Sequence, residues 1–132
     1  MPKSTNTCNS ILALIFNATA WADIAENDTS APAANLYVSL HTADPGVGGA
    51  QTTNETAYTN YARVAVARTN VGWSVPASGA TANAALVQFP QCGASGATIT
   101  HVAIGTASGG AGTVLYAGAL NSSLAVANLI QP

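Results

Sequence analysis

Three side chains invite a metal reading: His41, Asp44 and the distant His101. Two imidazoles and one carboxylate hold a divalent ion in some jelly-roll oxygenases. Those sites usually set the acid two residues after the histidine, on the same strand. Here the spacing is His-x-x-Asp, and the acid opens the turn Asp44-Pro45-Gly46. Pro presets φ at the second turn position and Gly accepts a positive φ at the third. Asp44 is thus explained as a turn residue, and a jelly-roll metalloenzyme is a distant third reading. A nucleophilic serine would sit in a G-x-S-x-G elbow, which the chain lacks. The carboxylates Asp23, Glu26, Asp28, Asp44 and Glu55 fall in a helix end or in loops, so they read as solvated surface rather than a glycosidase pair. Gly109-Gly110-Ala111-Gly112 has neither the lysine nor the following helix of a phosphate cradle, and reads as a hairpin turn.

Two groups of side chains keep a binding role open. Tyr37, Tyr58, Tyr61, Trp73 and Tyr116 could stack on sugar rings, although aromatics on sheets more often pack across strands. Arg63 and Arg68 are the only arginines. One could bridge to Asp44 or Glu55 and clip a long loop to the sheet. Either could anchor a subunit interface.

The elements that would position these groups are mostly strands. Leu36, Val38 and Leu40 alternate with Tyr37, Ser39 and His41, which predicts a strand with one buried face. Residues 43–60 follow as a long aperiodic Gly/Thr/Asn loop, and loops of that length are usually functional or mobile. Strand character returns at Tyr61–Thr69, then at Ala85–Phe89, Ala97–Gly105, Thr113–Ala119 and Leu124–Ile130. Ahead of them, Ile11, Leu14, Ile15, Ala18, Trp21 and Ala22 recur at spacings of three and four. They predict an amphipathic helix over residues 10–26, capped by Asn9 or Ser10. Residues 1–9 read as an extended arm. The expected fold is mainly β: an antiparallel β-sandwich or jelly-roll of about seven to eight strands with one N-terminal helix.

Composition narrows the function classes. The 132 residues suit one domain, here residues 10–132. Only 6% are charged, against about 25% in an ordinary soluble protein. Three basic residues and a net charge of −2 leave no footprint for nucleic acid and no basic patch for anionic lipid. So low a charge favours association. Cys8 and Cys92 form no C-x-x-C and are expected as free thiols. The apolar run Ile11–Phe16 is short and stopped by Asn17, so it reads as part of the fold rather than a secretory signal.

The order of IFNATAWADIAEN, LYVSLHTADPG, a Gly/Thr loop, YARVAVAR, GW, FPQC and THVAIGTASGGAGTVLYAGAL resembles a family of small tailed-bacteriophage and prophage virion proteins. The resemblance spans nearly the whole chain. It implies a structural, non-enzymatic protein with no catalytic residue, no cofactor and no metal. It further implies a capsid decoration (cement) protein on the outer surface of the capsid, assembled in the bacterial host cytoplasm. The major capsid protein and copies of itself, as a homotrimer, would be its partners, with no nucleic acid and no membrane. The alternative is a phage tail or fibre protein contacting host-surface glycans. Candidate contact residues are Asp44, Val47, Gln51, Asn54, Glu55, Arg63 and Arg68.

Overall fold

In the computed structural model, residues 3–21, 24–25 and 33–132 are described. The chain divides into two compact units: Met1–Asn35 with Val66–Leu86, and Leu36–Ala65 with Val87–Pro132. The elements in chain order are α1 (Thr5–Phe16), β1 (Asn35–His41), β2 (Val64–Ala67), β3 (Ala97–Gly105) and β4 (Val114–Val126).

Helix α1 starts and stops earlier than its apolar spacing suggests. Residues 5–9 are helical rather than an arm, because Ser4 takes an extended conformation and its Oγ accepts the Thr7 N–H at 3.2 Å. That cap satisfies a donor the first turn leaves open. The other end is set by Asn17 as C-cap, followed by Ala18 at φ +52°. Two of the carbonyls left open there are taken by Arg68. Its Nη2 donates to Leu14 O at 2.8 Å and its Nε to Ile15 O at 2.7 Å, while Nη1 reaches Ala33 O at 2.8 Å. A cation at a helix C-terminus also meets the negative end of the macrodipole. Residues 17–21 and 24–25 are therefore not helical, and the expected end near Glu26 lies outside the described residues. Phe16 is buried with its ring edge on Trp73 (centroids 4.7 Å apart), and Asn17 Nδ2 donates to Trp73 O at 3.3 Å.

The four strands form one sheet in the order β2-β1-β3-β4, with the β1–β3 and β3–β4 pairs antiparallel. The mainly β expectation holds, with four strands among the described residues against the seven to eight expected. β1 and β3 fall where strands were expected, but β1 is not buried on one face alone: Ser39 and His41, opposite Leu36, Val38 and Leu40, are fully buried as well. Leu36, Val38, Leu40, Ile99, Ala103 and Val126 make the core of the second unit, joined by Tyr58, Phe89 and Cys92. Thr113–Ala119 and Leu124–Ile130 are not separate strands. They are largely one, because β3 pairs with both halves of β4: Ile99 faces Leu124 and His101 faces Ala119. Two steps on β3 thus match five on β4, and the surplus around Leu120–Ser123 is taken up as an irregularity rather than a turn. Ala85–Phe89 is irregular. Its terminal Phe89 N–H pairs with Pro132 O at 2.9 Å, and Cys92 N–H with Ile130 O at 2.8 Å. Both cysteines are free.

Candidate functional site

The loop between β1 and β2 is tied down along much of its length. Thr56 N–H pairs with Leu40 O and Thr42 N–H with Asn54 O, each at 2.9 Å, so the loop opens and closes beside the end of β1. Asp44 Oδ1 accepts the Gly46 N–H at 2.8 Å, and Asn54 Nδ2 donates to Asp44 O at 2.8 Å. These bonds shape the Asp-Pro-Gly turn expected from the sequence, with Gly46 at φ +73°.

Gln51 is the buried fastener. It is fully buried, its Oε1 accepts the Ala107 N–H at 2.9 Å, and its Nε2 donates to Tyr37 O at 3.4 Å. The side chain lies where Gly105 and Gly112 have no Cβ. An added Cβ at Gly105 would meet Gln51 Cδ at 2.1 Å, and one at Gly112 would meet Oε1 at 2.2 Å. A glycine ending an apolar strand marks such close approach, and it was the one sequence signal for this contact.

Glu55 is the second fastener. Arg63 grips it with two hydrogen bonds, Nε to Oε1 at 2.6 Å and Nη2 to Oε2 at 2.7 Å. The same guanidinium donates to Ala107 O at 2.8 Å and Gly110 O at 2.7 Å. The planar fork suits a carboxylate in this way. The Arg63 side chain is only 3% exposed and that of Glu55 14%. The hydrogen bond to Glu55 raises the Arg63 pKa and holds the guanidinium charged. Tyr61 completes the cluster, donating its O–H to Glu55 Oε1 at 2.8 Å and accepting the Leu40 N–H at 3.1 Å. Burial, more than the adjacent carboxylate, pushes its phenol well above the ordinary value.

The two histidines that suggested a metal site have partners within the chain. His41 and His101 face each other across β1 and β3. His41 is fully buried, with Nδ1 donating to Thr53 O at 2.9 Å and Nε2 bonded to Ser39 Oγ at 2.9 Å. Both ring nitrogens are occupied, and among the described residues no three His, Cys, Asp or Glu side chains come together as a metal site. Nor is there a helix among the described residues long and apolar enough to cross a membrane.

The candidate contact residues separate cleanly. Gln51 is inaccessible and cannot meet a neighbour. Each guanidinium nitrogen of Arg63, and of Arg68 at the end of α1, donates within the chain, and Glu55 is mostly covered. Arg63 therefore takes the loop-clip role rather than that of an open anchor. Asp44, Val47 and Asn54 stay exposed, Val47 completely. Asp44, Gly46 and Val47 form one wall of an open groove of about 340 Å³, and residues 114–117 of β4 form the other. Tyr116 on that second wall is 42% exposed, whereas Tyr58 and Trp73 are buried and Tyr37 and Tyr61 half-buried. No local pattern announces this groove, because its walls are remote in sequence.

A family model described as Podophage GP4 fiber I protein gp80 matches residues 2–128. No curated protein matches the chain. The match covers nearly the whole sequence, and the chain belongs to that family.

Proposed function

We propose that this member of the podophage fiber I protein family is a non-enzymatic component of a phage fibre that contacts the host surface. The observation that carries the reading is the family match over residues 2–128. It makes the chain a phage virion structural protein and favours the fibre alternative over capsid decoration. The structure is compatible with such work. His41 and Arg63 are bonded within the chain, and open features among the described residues include the Asp44–Val47 turn, the adjoining groove and the uncharged strand β4. A chain with so few charges can bring copies of itself together with little like-charge repulsion, and self-assembly within the fibre is part of the proposal.

Labelling intact particles with antibody to the chain, with copy number measured by quantitative mass spectrometry, tests the reading. Fibre function predicts label on tail-associated appendages at a low copy number set by the tail's symmetry. Label across the head lattice at capsomer stoichiometry would reinstate the capsid cement reading, with the major capsid protein as partner.

A further inference from the structure

The geometry points to the groove between the Asp44–Val47 turn and residues 114–117 of β4 as a binding site for a neutral sugar. The inference rests on the fibre reading, since it takes the ligand to be a component of the host surface.

Size sets the first limit. The groove holds about 340 Å³, near the small end of the roughly 300–1,000 Å³ seen for small-molecule sites. That space suits a sugar unit rather than a folded partner. The second observation is the ring in its wall. Among the described residues Tyr116 is the one exposed aromatic, and an aromatic face packs well against the C–H face of a sugar. The apolar side chains of Val47, Val114 and Leu115 extend the same wall chemistry.

The third observation is a carboxylate fixed before any ligand arrives. Asp44 Oδ1 accepts the Gly46 N–H at 2.8 Å, and Asn54 holds the Asp44 backbone carbonyl at 2.8 Å. Asp44 Oδ2 has no hydrogen-bond partner among the described residues. Sugar hydroxyls are donors, and a hydrogen bond to an ionised acceptor is stronger than one between neutral groups. Preorganisation lowers the ordering cost of making it.

Charge then selects the class of sugar. Among the described residues, the groove is lined by one carboxylate and by no lysine or arginine. A sialic or uronic acid would bring a second carboxylate to an uncompensated one, and like charges repel. A neutral hexose brings hydroxyls and no charge.

The full chain is to be titrated with methyl α-glucoside, methyl α-galactoside, methyl α-mannoside and N-acetylneuraminic acid, using saturation-transfer NMR and calorimetry. At least one neutral glycoside should bind in the millimolar range, and N-acetylneuraminic acid should not. Tyr116→Ala should weaken that binding about tenfold, and Tyr116→Phe should retain it. Asp44→Asn should weaken it about fivefold with the fold intact, because the Asn Oδ1 still accepts the Gly46 N–H. Leu86→Ala, an exposed position in the other unit, serves as the unchanged control. Binding that survives both Tyr116→Ala and Asp44→Asn would put the sugar elsewhere and remove this site while leaving the fibre reading standing. No neutral probe bound, or a preference for N-acetylneuraminic acid, would overturn the site as well. The fibre reading itself fails only on the location of the chain in the virion.

Discussion

Replacing Arg63 by Met should be among the most damaging single changes in the unit that carries the sheet core. The substitution keeps much of the stem and removes a guanidinium whose side chain is 3% exposed. It strips Glu55 of both charge-assisted bonds and leaves the carbonyls of Ala107 and Gly110 without their donor. Glu55 keeps only the Tyr61 hydroxyl among these partners. Breaking a buried pair from one side costs about 3–5 kcal/mol, because the remaining charge stays desolvated. The total stability of a domain is only about 5–15 kcal/mol. At roughly 3–4 °C per kcal/mol for a chain of this length, the midpoint should fall by about 10–20 °C. Far-UV circular dichroism is the suitable assay, since Trp21 and Trp73 both lie in the other unit. The double variant Arg63→Met/Glu55→Gln should recover about 1–2 kcal/mol of the loss, because no uncompensated charge is left behind. An Arg63→Met cost below about 1 kcal/mol, the range of an exposed surface pair, would refute the argument. So would strictly additive single and double variants.

Arg68→Ala should fray the end of α1, costing about 1.5–3 kcal/mol through the lost bonds to Leu14 and Ile15. Amide exchange in residues 13–17 reads this directly; Arg68→Lys should rescue only part of it, and full rescue would show that charge alone sufficed. Gly105→Ala should cost about 2–4 kcal/mol, because its Cβ would overlap the buried Gln51 side chain. Gln51→Ala should relieve that overlap in the double variant, and a double variant worse than the sum of the two singles would place the strain elsewhere. Stability should also fall in strong alkali. The Tyr61 phenol has a raised pKa when folded, so the folded chain holds that proton more tightly than the unfolded one. Its contribution is complete below the unfolded value of about 10 and is lost as pH climbs beyond it. Burial raises Tyr58 in the same sense. Denaturation midpoints measured from pH 8 to 11 should decline above pH 10, and Tyr61→Phe should flatten part of the slope.

Much of the scaffold was legible locally. β1 read from alternation, the turn at Asp44 read from Asp-Pro-Gly, and the scarcity of charge read from composition. These signals are local: a side-chain period of two, a fixed proline φ, a count of charges. The ends of α1 were not legible, because apolar spacing continues through Trp21 while the helix stops at Phe16. Arg68, remote in sequence, covers the carbonyls of its last turn. The unity of β4 was likewise invisible, since Thr113–Ala119 and Leu124–Ile130 read as two strands until β3 pairs with both.

The sequence by itself determined which stretches could be strands and that the chain carries few charges. Tertiary structure decided which partners the remote polar side chains take. It buried Gln51 against two glycines, closed Arg63 on Glu55, turned Arg68 into a helix cap, and brought Asp44 beside Tyr116. The reason is physical. Hydrogen bonds and close packing depend on distance in space, and strand pairing sets that distance between residues remote in sequence.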